Sequence, residues 1–283
     1  MKASSVIAGA LFVAAVLSCL SAQPEQPARS RDLWNSAFSK ARPSRSGTGG
    51  AAVRTEVRPA EALVGLTIWR LRPASPADAP GVKILVHEPE RTREFTPERV
   101  GVGTPLGEGS RVRLSIESAR SGYLYVISYE KYADGSRGDP YLIFPTERIR
   151  GGDNQVHPGR VVGIPAWDDR PPYLTLRRSR PEHIAEVLMV LIAPKPLPGL
   201  PLERNATKLG AQQLGDWERR WGAPADMLDT AGGTGTPITG VESEAAAGMQ
   251  LLHSDDPLPQ TLYRVKVRPA SPFLITTDLK VIP

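Results

Sequence analysis

The stretch GYLYVISYEKYADGSRGDPYLIFPTERIRGGDNQVHPG, residues 122–159, carries the clearest structural pattern in this 283-residue chain. Two apolar runs, YLYVI and YLIF, flank a loop rich in Asp, Gly and Ser, and a second turn-rich loop follows directly. Short apolar runs separated by turn residues are typical of β-hairpins. The stretch therefore predicts a hairpin with polar tips, and it contains no catalytic motif.

Further short apolar runs on both sides of this hairpin predict a mainly β domain. In residues 111–117, Val112, Leu114 and Ile116 alternate with charged and polar residues, which predicts a strand with one solvent-facing side. The run EHIAEVLMVLI after Pro181 fits either a strand or a helix. The predicted strands are 64–71, 82–86, 111–117, 123–129, 141–144, 161–164, 173–176 and 187–193. About eight short strands predict a two-layer antiparallel β-sandwich, Ig-like or jelly-roll-like, over residues 61–197.

Residues 198–283 are predicted to form a C-terminal extension that packs on the sandwich. Within it, residues 208–221 have Leu214, Trp217 and Trp221 at helical spacing, which predicts an amphipathic helix whose apolar stripe faces the core. Residues 230–250 are rich in Gly, Thr and Ala and predict a mobile loop. Residues 261–282 contain two apolar runs separated by RPASP, which predicts a terminal β-hairpin.

The N-terminus has the pattern of a secretory signal peptide over residues 1–22. Lys2 precedes an apolar run at 6–17, and small residues follow before Gln23. This pattern predicts cleavage near Ala22 and a periplasmic or extracellular protein. A retained membrane N-terminus and lipid attachment at Cys19 are the alternatives. Cys19 is the only cysteine, so cleavage at Ala22 would leave a chain without thiols or disulfides.

The net charge of +5 lies before residue 61, with +4 in residues 23–60 and +1 from Lys2. Residues 23–60 are rich in Pro, Ser and Gly and hold seven basic and three acidic residues. The remainder from residue 61 onward has 27 of each, so it is neutral. This distribution argues against a nucleic-acid-binding surface and predicts a largely disordered basic linker. Any contact with a membrane is expected through this linker only.

Several blocks in a fixed order resemble the DUF4384 family of bacterial exported domains of unknown function. They are GLTIWRLRP at 65–73, RVRLSIESARSGYLYVISYEKYADG at 111–135, PYLIFPT at 140–146 and GGDNQVHPGRVVGIPA at 151–166. The resemblance covers about residues 63–193. In other chains, similar domains accompany caspase-like peptidase or kinase domains, and no such effector pattern is present here. The resemblance implies an exported accessory module and assigns no catalytic residue.

The motif search identifies no established catalytic or metal-binding pattern. The four histidines form no zinc-type pair, and the chain lacks GxSxG, GxxxxGK[ST] and GxGxxG motifs. The best polar cluster comes from the two loops of the opening stretch. We interpret its residues as turn formers that also provide a recognition surface, with a calcium-type cation as the alternative ligand. These candidate recognition residues are Tyr132, Asp134, Asp139, Asp153 and Asn154.

These patterns together predict a non-enzymatic recognition or scaffolding module of the bacterial cell envelope. The expected partner is an envelope protein or glycan, with no cofactor. One alternative is a hydrolase of wall polymer or peptide that uses Asp134, Asp139 or Asp153 with His157, which requires these groups to share a pocket. The other alternative is a lipid- or wall-associated tether that acts through the basic residues of the linker.

Overall fold

A computed structural model describes residues 61–87, 91–230, 233–253, 255–268 and 270–283. The predicted signal peptide and basic linker lie outside the described residues. In the part of the chain that is described, no helix is long and apolar enough to cross a membrane. The strands are β1 Glu61–Pro73, β2 Ile84–His87, β3 Thr92–Val100, β4 Leu106–Gly107, β5 Arg111–Ser118, β6 Gly122–Tyr132, β7 Tyr141–Phe144, β8 Gln155–Val156, β9 Val161–Ile164, β10 Leu174–Thr175, β11 His183–Ala193, β12 Thr207–Lys208, β13 Ala225–Asp229, β14 Thr261–Lys266 and β15 Phe273–Ile282. The helices are α1 Ala211–Trp221 and α2 Gly240–Ala246, with 3₁₀ turns at Pro80–Val82 and Arg150–Gly152.

The strands form two sheets, which confirms the predicted two-layer β-sandwich. The first sheet follows the order β10-β5-β1-β14-β13, with β2 and β3 continuing from β1 and β9 pairing with β5. The second sheet follows the order β12-β7-β6-β11-β15-β4, with β8 pairing with β6. The pairing is antiparallel except between β15 and β4, which run parallel.

The main core lies between the two sheets. It joins Leu66 and Ile116 of the first sheet to Val126 and Val190 of the second, and all four side chains are fully or almost fully buried. Each of these residues belongs to a period-2 row of apolar side chains, because alternate residues of a strand point to the same face. The apolar residues that alternate along these strands in the sequence are therefore buried in this core.

Helix α1 covers the other face of the second sheet. Leu214 is buried there, and Trp217 and Trp221 pack against the same cluster as Tyr125 and Met189, which confirms the predicted apolar stripe. Because the second sheet is covered on both faces, its central strands are apolar at successive positions. Strand β11 is one of these, paired with β6 and β15, so the run after residue 181 is a strand rather than a helix.

The predicted solvent-facing side of residues 111–117 is wrong. Arg113 and Glu117 are both buried. The guanidinium of Arg113 stacks on the Trp167 ring at 4.0 Å and donates to the carbonyl oxygen of Pro172 at 2.6 Å. Burial lowers the pKa of Arg113 to about 9, although Asp169 and Asp168 favour its charged form. Polar side chains at alternate positions of a strand can therefore be buried when aromatic rings stack on them and carbonyl oxygens accept their hydrogen bonds.

Two predictions for the C-terminal extension are also wrong. The segments at 261–282 do not form a hairpin, because β14 pairs with β1 and β13 in the first sheet while β15 pairs with β11 and β4 in the second. The chain therefore passes from the first sheet to the second after Lys266. The predicted loop at 230–250 contains α2, whose N-terminus has a capping box between Thr239 and Glu242. The extension supplies strands to both sheets.

Candidate functional site

The inner face of β6 changes from apolar to polar along its length. Leu124 and Val126 lie in the core, whereas Ser128, Glu130 and Tyr132 follow at the same period and hence on the same face. Three polar residues in succession on an inner face mark the point where the first sheet no longer covers the second with an apolar surface.

A cleft of about 1000 Å³ opens between the two sheets at this point, and we call it the end cleft. Apolar residues of both sheets, including Val112, Leu114, Leu188 and Leu279, form part of its wall. The polar residues that line it are Ser128, Glu130, Tyr132, Arg137, Asp139, Thr175, Arg177, Ser179, Arg180 and Glu186. A cleft of this volume with apolar walls and a few convergent polar groups has the ordinary composition of a ligand site.

Two carboxylates in the end cleft lie directly opposite each other. Glu130 of β6 and Glu186 of β11 are cross-strand partners, and their side chains are 19% and 20% exposed. The fully buried ring of His183 connects them: its Nδ1 lies 3.4 Å from Glu130 Oε1 and its Nε2 3.5 Å from Glu186 Oε2. A β-bulge between His183 and Ala185 interrupts the pairing of β11 with β6 next to this cluster.

The two carboxylates have opposite pKa shifts. Burial raises the pKa of Glu186 above its ordinary value, although the Ser128 hydroxyl donates to it. Burial also acts to raise the pKa of Glu130, but it is outweighed, and the net shift is downward. The hydroxyl of Ser179, its backbone N–H at 2.9 Å and the Tyr132 hydroxyl at 2.7 Å all donate to this carboxylate.

The mouth of the end cleft carries exposed charges of both signs. Arg137 pairs with Glu218 at 2.8 Å, and Asp139 pairs with Lys208 at 2.5 Å. Arg180 is exposed and stacks on the Tyr132 ring at 4.7 Å from its centroid. Arg177 is also exposed. The carboxylates of Glu130 and Glu186 are therefore inside the cleft, whereas the arginines and Asp139 are on its rim.

The two acidic loops of the opening stretch lie at opposite ends of β6. Asp134 lies two residues beyond the end of β6. Asn154 donates from Nδ2 to the carbonyl oxygen of Leu124, 3.0 Å away near the start of the same strand. Leu124 and Tyr132 are eight positions apart in the strand, which corresponds to roughly 26 Å. The loops therefore do not converge, and of the candidate recognition residues only Tyr132 and Asp139 line the end cleft.

The other candidate residues shape their own turns. The carboxylate of Asp134 accepts from the N–H and the hydroxyl of Ser136, which lowers its pKa. Asp153 accepts from the N–H of Gln155 at 3.1 Å. Asp153 and His157 line a separate depression of about 200 Å³, away from Asp139. Asp134 and Asp139 do not line this depression, so of the three aspartates in the hydrolase prediction only Asp153 shares a depression with His157.

No cluster of three or more His, Cys, Asp or Glu side chains among the described residues is arranged to hold a metal ion. No family model, no curated protein and no solved structure matches this chain. The end cleft itself is therefore the basis for an argument about function.

Sequence reasoning missed Glu130, Glu186 and His183. A signal for Glu130 was present, because Ser128, Glu130 and Tyr132 continue the row of alternate residues that begins with Leu124 and Val126. The predicted strand ended at residue 129, so this alternation was not followed to its polar end. No sequence signal placed Glu186 opposite Glu130, because strand pairing depends on the tertiary fold.

The pKa shifts predict opposite effects of two glutamine substitutions. Glu186→Gln should raise the free energy of unfolding at pH 7 by up to about 1 kcal/mol, the scale of a cross-strand charge pair. The pKa of Glu186 is raised in the folded state, so its ionisation destabilises the fold as pH rises, and the gain should vanish below its ordinary pKa of 4.5.

Glu130→Gln should lower stability at pH 7. The pKa of Glu130 is lowered in the folded state, so its contribution is present above 4.5 and is lost as pH falls through the folded pKa. Thermal melting followed by circular dichroism at pH 7, 5 and 3 measures both differences. If both variants change the melting temperature at pH 7 in the same direction, the opposite pKa shifts of Glu130 and Glu186 are contradicted.

Proposed function

We propose that this chain is an exported recognition or scaffolding module of the bacterial cell envelope that works by binding a ligand in the end cleft. One observation carries the proposal: the inner face of the sandwich becomes polar where the sheets separate around about 1000 Å³ of space. Polar groups on the inner face of a sandwich cost stability unless they are satisfied or serve a function. The proposal moves the recognition surface from the loop tips to the cleft.

The wall of the end cleft that carries the two carboxylates belongs to rigid strands. Ser128 and Glu130 lie on β6, Glu186 lies on β11, and both are paired strands of the second sheet. Tyr132 is held by its hydrogen bond to Glu130 and by the stacked Arg180. A site on paired strands keeps its geometry before a ligand arrives, which reduces the entropy lost on binding.

Filling the end cleft tests this function. Leu174 of β10 lies half-buried in its wall. We expect Leu174→Trp to reduce capture of the partner from envelope extract at least tenfold, because the larger ring occupies the space that the ligand needs. The readout is the amount of each captured component compared with wild type, with thermal melting to verify that the variant is folded.

Two controls accompany this experiment. Leu174→Ala alters the same position without filling the cleft and should retain most of the capture. The double variant Asp134→Ala, Asp153→Ala changes both loop tips outside the cleft and should also capture normally. Loss of capture in the loop variant together with normal capture by Leu174→Trp would return the recognition surface to the loops.

A further inference from the structure

Glu130 and Glu186 form a pair of like charges that the fold does not neutralise with lysine or arginine. Among the described residues, His183 is the only basic side chain with a nitrogen within 4.0 Å of either carboxylate. Like charges directly opposite each other on neighbouring strands destabilise a sheet. Such a pair, kept about four-fifths buried at the wall of a cavity, is an arrangement that folding alone does not favour.

His183 provides a second, independent observation. Its Nε2 lies 2.9 Å from the carbonyl oxygen of Ala185, which can only accept, so Nε2 carries a hydrogen. Its Nδ1 is buried without a hydrogen-bond partner and is directed at the carboxylate of Glu130. A buried polar atom without a partner is costly. The cluster, whose two carboxylates line the end cleft, is therefore incompletely satisfied.

Negative and positive side chains occupy different parts of the end cleft. The carboxylates of Glu130 and Glu186 are inside, and the exposed guanidinium groups of Arg177 and Arg180 are at the rim. Asp139 and Arg137 are also at the rim, but each is paired with a residue outside the cleft lining. This arrangement of charges is complementary to a ligand that places a positive group inside the cleft and a negative group at its rim.

We infer that the end cleft, in its proposed role as the binding site, selects a short peptide segment with a lysine-type ammonium group next to a carboxylate. The ammonium group lies between Glu130 and Glu186, and the neighbouring carboxylate meets Arg177 and Arg180. The apolar walls accommodate the methylene stem of the side chain. A volume of about 1000 Å³ exceeds that of one side chain, so the segment contributes several residues.

A panel of three synthetic peptides tests the charge order by isothermal titration calorimetry. The peptides are acetyl-AKEA-amide, the same peptide with norleucine in place of lysine, and the same peptide with glutamine in place of glutamate. On the wild-type protein, the norleucine peptide should bind at least tenfold more weakly than the parent. The glutamine peptide should bind about threefold more weakly, because the rim is more exposed to solvent and salt.

Protein variants test which residues cause the preference for lysine and which cause the preference for glutamate. Glu186→Gln should reduce the ratio between the affinities for the lysine and norleucine peptides to less than threefold. Arg180→Gln should remove only the preference for glutamate over glutamine. The matched control is Asp134→Asn, which removes an exposed carboxylate outside the end cleft and should leave all three affinities unchanged.

The outcomes separate this inference from the proposed function. Equal binding of the lysine and norleucine peptides, or a lysine preference that persists in Glu186→Gln, would overturn the inference and leave the end cleft as a binding site. Failure of all three peptides to bind would also overturn it, while loss of partner capture by Leu174→Trp would still support the proposed function. Normal capture of the partner by Leu174→Trp would contradict both the peptide inference and the proposed function of the end cleft.

Discussion

Glu242→Ala is expected to lower the free energy of unfolding by about 3–5 kcal/mol, the scale of breaking a buried ion pair. Glu242 lies in α2 and forms an ion pair with Arg99 of β3, and both side chains are buried. Its other oxygen accepts from the N–H and hydroxyl of Thr239 at the N-terminus of the helix. The substitution leaves Arg99 buried without its anion and removes the capping box, so both effects act in the same direction. Urea unfolding measured by circular dichroism gives the change.

Glu244→Ala is the matched control on the same helix. Glu244 is exposed, so its removal should change stability by no more than about 0.5 kcal/mol. Below its unfolding transition, Glu242→Ala should still capture the partner, because α2 lies outside the end cleft. A Glu242→Ala protein as stable as wild type would show that this ion pair does not hold α2 on the sandwich.

Phe144→Ala is the second substitution with a large expected effect. Phe144 of β7 is fully buried between the sheets, and its Cα lies opposite Val126 of β6. Truncation of a buried phenylalanine removes its apolar contacts and leaves a cavity, which costs about 3–5 kcal/mol. The same urea titration measures the loss.

Tyr141→Ala is the control on the same strand. Tyr141 is 40% exposed, so we expect it to cost less than about 1 kcal/mol. Equal losses in the two variants would mean that β7 is not held by its inner face. Phe144→Leu should recover part of the loss, since it restores most of the apolar volume.

Local patterns were sufficient for much of the fold. Residues 141–144 and 161–164 were predicted as strands, and β7 and β9 have those bounds. The apolar spacing in residues 208–221 predicted α1, which begins at Ala211 and packs its apolar stripe on the second sheet. Strand β3 was missed, because TREFTPERV has only two strongly apolar residues and its Pro97 is unusual within a strand.

Local sequence patterns could not predict which strands pair with each other. The segments that became β14 and β15 are adjacent in sequence and apolar, yet they belong to different sheets. Alternation shows which residues share a face, but it does not specify which strand lies alongside or what covers the face. The same limitation explains why Arg113 and Glu117 were predicted to face solvent.

For the candidate site, the sequence identified Tyr132 and Asp139, which line the end cleft, and grouped them with Asp153 and Asn154, which lie at the other end of β6. The carboxylate of Glu186 is separated from that of Glu130 by 56 positions in the chain, and only the pairing of β11 with β6 brings them together. Their buried partner His183 enters the cluster for the same reason.

The amino-acid sequence by itself determined the β class, most strand positions and the helix that covers the second sheet. These features arise from local periodicity, since alternate residues of a strand and every third or fourth residue of a helix share a face. Only the tertiary structure decided which strands pair, which polar rows are covered and where the sheets separate to form the end cleft. Those properties depend on contacts between residues distant in the chain, and a local sequence pattern does not encode such contacts.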